Sequence, residues 1–435
     1  MMKQKGFVTL AITSVLLTIV LGYSLSSYRG VLYQIKVANN EVAARQAHWQ
    51  AEGGLECGFA HIVHDSATSI PTNLKSVCSD LGLSSLSASP ANADTLVASD
   101  GNTSVSKTIN FGSAGLAGAI RSTSDLVVHG STLVAPPAPG EKNKDGEYEC
   151  MTAVVSNYFI ANAGVTNSGV GHTVTKPSED FDNSSDCASS HKTVSSGQSG
   201  IWKDGTNKHT KFSVKDDFYL DDKLNPFKST FGYERSEWED VRDHKDFDFL
   251  KYTMDTGDID CVEQFKNDLK LGKPNAIWIT GSCQINSASL TVIKNIQKNN
   301  AGTYLFLLIH NGVVGLTGSG SIDGVIFHFN NGFGPNVANW DKFETSIQGT
   351  IHNSGGPTNF DVSLNTLYPP SGIDSRNATY LQDGSFSFSG GMIFDTQGQI
   401  ALFNNSLNLK YNSDIETSFT FEGKPRWKKG SWNDL

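Results

Sequence analysis

Charge is scarce in this chain and never gathers into a long block of one sign: Asp, Glu, Lys and Arg make up 18 % of its 435 residues. The formal net charge is -10. An interspersed acidic balance suits an exported, soluble surface and argues against general nucleic-acid binding, which needs clustered cations. Any Cys-x-x-Cys pair is missing too, so zinc and thioredoxin-like chemistry lack their ligands. Gly-x-Ser-x-Gly, His-Glu-x-x-His and a phosphate-binding glycine loop are absent, which leaves common hydrolase and nucleotide chemistries without a motif. With 44 acidic residues, chance carboxylate pairs are unavoidable and do not by themselves argue for cleavage of sugars. No catalytic residue and no cofactor are expected.

The start of the chain holds one long apolar run. From Gly6 to Tyr28 no residue is charged, with Lys3 and Lys5 before the run and Arg29 after it. About twenty helical residues span a bilayer core, and the flanking lysines orient the short leader inward and the long remainder outward. A secretory signal would end in a small-x-small cleavage site; here the sequence continues without proline to Glu52. Val31, Leu32, Ile35, Ala38, Val42, Ala43 and Ala47 recur at helical spacing, with Lys36, Asn39, Asn40, Glu41 and Arg45 largely on another face. One helix is therefore predicted over residues 7–64, membrane-spanning over 7–28 and amphipathic later.

Export exposes the six cysteines to an oxidising compartment, where an even number reads as disulfides. Pairing Cys57 with Cys78, Cys150 with Cys187 and Cys261 with Cys283 closes the shortest loops, although spacing does not fix connectivity.

Lys5-Gly6 followed by Phe7-Val8-Thr9-Leu10 resembles the processing site of type IV prepilins, in which a short basic leader ends in glycine. Ala44-Arg45-Gln46-Ala47 and Gln50-Ala51-Glu52-Gly53-Gly54-Leu55-Glu56 resemble the helix-ending motif of PilX-type minor pilins. The resemblance covers about the first sixty residues, and its specificity lies in the combination. It implies cleavage between Gly6 and Phe7 by an inner-membrane prepilin peptidase, methylation at Phe7, and a helix motif in which Gln50, Ala51, Glu52 and Leu55 take part. It also implies an inner-membrane protein with a periplasmic domain that becomes extracellular on a pilus, with other major and minor pilins and the assembly machinery as partners. The fifth mature position, usually glutamate in major pilins, is Ala11 here. That departure implies a place at or near a fibre tip, because the missing carboxylate would otherwise neutralise the amino terminus of a neighbour in lipid.

Beyond His64 the residues suggest a polar linker over 65–106 and a β-rich domain over 107–435, for an α+β chain overall. Strands are predicted over 119–131, 153–160, 276–282, 303–312, 318–329, 346–353 and 390–394, each closed by turn residues or near them, in a solenoid-like stack or a sandwich. Ile322-Asp323-Gly324-Val325-Ile326 and Ile347-Gln348-Gly349-Thr350-Ile351 share a pattern that favours the stack. Ser236 to Thr253 has amphipathic-helix spacing, with Ser236 as cap and Trp238, Val241, Phe249 and Leu250 as buried positions. Gly430-Ser431-Trp432-Asn433-Asp434-Leu435 is similar to the end of large PilX-like proteins.

Three clusters compete with simpler readings. His61 and His64 would share a helical face, yet no acidic or cysteine partner at suitable spacing completes a metal set. Asp255, Asp258 and Asp260 cluster oxygen ligands beside Gly257 as calcium requires, but the full loop pattern is missing and a solvated acidic turn is the simpler account. Lys424, Arg426, Lys428 and Lys429 with Trp427 and Trp432 would stack on single-stranded nucleic acid. Tryptophans docked on the domain explain them with less, so nucleic acid is not an expected partner. The expected function is a pilus-priming or capping subunit; the alternatives are a tip adhesin with a surface ligand and a membrane-tethered periplasmic carbohydrate-active enzyme.

Overall fold

In the computed structural model, 60 residues at the start of the chain form a single helix, α1 (Lys5–His64). The structure describes residues 5–435 apart from 66, 68, 112–118, 137–142, 170–186, 195–196, 198, 202–213, 246, 255–258, 352–376, 410–411, 420, 422–424, 428–430, 432 and 435. Two compact units result, Met1–Phe111 with Lys424–Leu435 and Gly112–Gly423, so the second unit is an insertion in the sequence of the first.

In the first unit every residue from Phe7 to Gln46 is exposed, and the helix includes a stretch long and apolar enough to cross a membrane. Burial begins at Ala51 and continues with Gly54, Leu55, Gly58 and Ile62, a helical stripe. That stripe meets an antiparallel meander of β1 (Ser85–Ser89), β2 (Asn92–Asp100) and β3 (Thr103–Asn110) through Leu86, Leu96, Ala98, Val105 and Ile109. Leu86 pairs with Ala98, and Ala98 with Val105. A short α2 (Leu74–Val77) adds Leu74. The end of the chain returns to this sheet, where Arg426–Trp427 and Asn433–Asp434 pair antiparallel with β3. Residues 65–106 are therefore not a linker: they supply most of the sheet, and the compositional reading failed because one face is Ser and Thr while the buried face uses few large side chains.

Among the described residues of the second unit the strands pair parallel, except β10 (Ser199–Ile201) with β8 (Phe159–Ala161). A first ladder runs from β11 (Phe218–Leu220) through β7 (Ala153–Val155), β4 (Ile120–Ser122), β19 (Met392–Asp395), β17 (Gly324–Phe329), β15 (Leu305–His310) and β13 (Asn275–Thr280) to β12 (Leu250–Thr253). A second joins β14 (Cys283–Ile285), β16 (Val314–Ile322), β18 (Ala378–Phe388), β20 (Ile400–Asn404), β5 (Asp125–His129) and β8 (Phe159–Ala161), with β10 (Ser199–Ile201) antiparallel at its end. The far half of β18 continues into β21 (Leu407–Leu409), β6 (Thr132–Val134) and β9 (Val165–Asn167). Spatial order departs from chain order, because β19, β20 and β21 from the last stretch dock on β4, β5 and β6 from the first.

Parallel strands covered on both faces need apolar residues at every position, and β15 (Leu-Phe-Leu-Leu-Ile-His) and β17 are buried throughout. Leu305, Leu307 and Ile309 face one core; Phe306 and Leu308 face another with Phe227, Phe231, Trp278 and Phe327. Where β18 turns, Gly384 has φ +139°, and a Cβ there would lie 1.8 Å from the carbonyl oxygen of Gly318 in the neighbouring strand β16. A Cβ at Gly130 would meet Asn405 O at 2.0 Å, so the corners close only over glycine.

Several expected elements change here. The strand predictions at 119–131, 153–160 and 318–329 each contain two strands and a corner. The helix predicted from Ser236 to Thr253 is limited to α4 (Trp238–Arg242), after α3 (Pro226–Phe231), and Glu234 with Glu237 supplies the capping box of the preceding turn in place of Ser236. Asp248 at φ +45° breaks the helical path and lets Phe247 and Phe249 join one aromatic cluster. Instead of a strand at 346–353, a helix over Thr345–Ile351 buries Ile347 and Ile351 beside Trp340 and Phe343. A spacing of four residues fits one face of a strand and one turn of a helix alike, which is why the second Ile-x-Gly-x-Ile copy misled.

Candidate functional site

The chain's most distinctive arrangement is the length of α1 and the junction where it meets its own sheet. Phe7 is 75 % exposed, as is the apolar surface after it, and Ala11 lies on the same uncovered cylinder. Burial starts within the motif: Ala51 and Leu55 are inside, Gln50 is exposed, and half-buried Glu52 lies 3.2 Å from His48. Sequence reasoning did not single out the glycines that let the surfaces meet. A Cβ at Gly54 would lie 2.4 Å from Leu83 Cδ1 and 3.3 Å from Ala98 Cβ, and at Gly58 3.1 Å from Leu96 Cδ2. Their signal was present as glycines at i and i+4 beside Leu55, a pattern that costs helix propensity and needs a packing reason.

Around the junction, Cys57 is bonded to Cys78, which ties α1 to the segment after α2. Glu56 lies 3.5 Å from Lys107 and accepts from Trp427 Nε1 at 3.4 Å. Trp427 stacks on Phe59 at 4.3 Å between ring centres, and Lys107 Nζ sits 4.4 Å from the indole. Trp427 is thus docked; Lys424, Lys428, Lys429 and Trp432 lie outside the described residues, as does the side chain of Arg426. His61 and His64 end α1 on either side of Asp65, whose carboxylate is held below its ordinary range by its bond to His64. Asp65 is the acidic neighbour that the sequence reading missed.

The second unit holds the bridges Cys150–Cys187 and Cys261–Cys283. Asp260 caps α5 (Cys261–Phe265) by accepting from Val262 N at 3.1 Å, and it accepts from Ser289 Oγ at 2.8 Å. Asp255 and Asp258 lie outside the described residues, and no group of three metal-type side chains occurs among the described ones. The interior also carries polar groups without a sequence signal. Asp395 accepts from Phe227 N and Thr123 Oγ1, each at 3.2 Å; burial pushes its carboxyl above the ordinary range while Arg235, 3.4 Å away, opposes. His328 Nε2 meets Gly312 O at 3.0 Å, and burial pushes the ring down to about 4. His310 packs against Trp238 and Phe329 and is pushed to about 4 by burial, with Arg242 and His328 adding to the effect. Arg235 joins the ends of β17 and β19 to the segment before α4, donating to Asn330 O and Asp395 O.

No family model, no curated protein and no solved structure matches this chain.

Proposed function

We propose that this chain is a minor subunit of a bacterial type IV pilus system, of the PilX type, held in the inner membrane by residues 7–28 before assembly and placed at or near a fibre tip. The observation that carries the proposal is one helix serving two solvents. Its first forty residues after Gly6 are exposed, whereas Ala51 to Ile62 pack on a small sheet. An uncovered apolar cylinder needs lipid or similar helices around it, and a packed end gives a rigid head to carry. Cleavage after Gly6, methylation at Phe7 and a tip position through Ala11 belong to this reading, as do partner pilins and the assembly machinery. The second unit is then a parallel β-solenoid inserted into a pilin-like head, a reading supported by the stacked ladders and the glycine corners.

Mass measurement of the chain from cells tests it. A chain starting at Phe7 with one added methyl is expected; one starting at Met1, or cut beyond Tyr23, overturns the proposal. The insertion also favours a compatible second reading, a tip adhesin, because residues 112–423 interrupt a unit whose sheet is completed by the chain's end. Removing 112–423 and rejoining the flanks separates the roles: fibres without attachment indicate adhesion, and lost fibres indicate priming.

A further inference from the structure

The first ladder of the second unit ends at β12, and among the described residues no strand pairs with its far side. A terminal strand turns part of its N–H and C=O groups outward, a template for an added strand. A cavity of about 150 Å³ lies against the same strand, walled by Leu250, Ala276 and Pro274 and by the rings of Phe247, Phe419 and Phe421. Each ring is nearly buried, and Asp248, Lys270, Asn275 and Ser418 add polar groups to the same wall. A closed apolar cavity of about that volume holds one benzene-sized group, and this one, open to solvent on one side, has room for one side chain of that size.

The rim chooses a charge. Asp248 and Lys270 pair with each other, and the Asn275 amide is used by the backbone of Lys270 and Lys273. Lys273, exposed and preceding the lining residue Pro274 in sequence, has no ion-pair partner among the described residues.

We infer that β12 and this cavity form one peptide-binding site. An extended segment of a partner protein pairs with the open edge of β12, inserts one aromatic or branched apolar side chain into the cavity and sets a carboxylate beside Lys273. Main-chain pairing supplies affinity and the cavity supplies selectivity. The site lies wholly in the second unit and stands whether or not the stem is a pilin stem.

The test uses the full chain in lipid nanodiscs and fluorescein-labelled hexapeptides of alternating Thr and Val with a central Glu-X pair, where X is Phe, Tyr, Leu or Ile, read by anisotropy. At least one anchor is expected to bind, and the same peptide with Ala at X to bind about 10-fold or more weakly. N-methylation of alternate peptide bonds should abolish binding. Ala276→Phe fills the cavity and should abolish it as well; Ser418→Trp, at the rim, repeats the test should Ala276→Phe fail to fold. Lys273→Glu should weaken the Glu peptide and strengthen its Lys counterpart. Failure of all four anchors, equal binding by the N-methylated peptide, or indifference to the folded filling variants overturns the inference.

Discussion

The antiparallel sheet on α1 and the parallel ladders of the second unit solve burial in different ways. In the ladders both faces are covered, so β15 and β17 are buried along their whole length. In the antiparallel sheet one face meets a helix brought close by Gly54 and Gly58, and Leu86, Leu96, Ala98 and Val105 suffice opposite a face of Ser and Thr. The lesson is that close approach substitutes for large side chains: where a helix lies tight on a sheet, a serine-rich sequence still forms a core.

Four measurements break or sharpen this comparison. The largest effect is expected at the corners. Gly384→Val puts a Cβ on the Gly318 carbonyl and forces a β-branched residue to a positive φ, so the second unit should lose more than about 4 kcal/mol and its near-UV dichroism, while the first unit keeps its helix. Acid should come next. With a folded value of about 4 against an ordinary 6.5, His328 binds fewer protons folded than unfolded within that window. Stability is then complete above pH 6.5 and falls as the pH drops toward 4, by up to about 3 kcal/mol, in urea titrations followed for the second unit. His328→Gln should remove its share of that slope and leave the share of His310, which is depressed to about 4 as well. A slope unchanged by the substitution would remove His328 from the account.

In the first unit, Gly54→Val gains about 1 kcal/mol of helix propensity or less but overpacks the sheet by about 1–3 kcal/mol. A net loss measured by thermal unfolding is expected, and a net gain would show that Leu83 and Ala98 yield freely. The smallest effect belongs to Trp427→Ala, which loses the stack on Phe59 and should cost about 1 kcal/mol, with more rapid hydrogen exchange in β3. No change there would leave the returning tail without a packing role.

Much of this was legible beforehand. The charge-free run after Gly6 and the proline-free continuation specified α1, and unbroken apolar stretches such as 305–309 specified strands buried on both sides. Within the junction, Ala51 and Leu55 were marked by the helix-ending motif, whereas the closeness that Gly54 and Gly58 permit, and the place of Lys107, depend on residues far along the chain. Asp260, read from the sequence as part of a solvated acidic turn or as a calcium ligand, caps α5 and accepts from Ser289, because a carboxylate's role depends on which donors the fold brings to it.

Sequence alone determined the long apolar helix, the presence of many short strands, and an oxidisable set of six cysteines, since each is a local property of composition or period. Tertiary structure decided that 85–110 is a sheet, that 345–351 is a helix, that 112–423 interrupts the first unit and that β19, β20 and β21 pair with β4, β5 and β6. Those outcomes depend on pairings between segments up to hundreds of residues apart, and a local pattern carries no information about which distant surface will cover it.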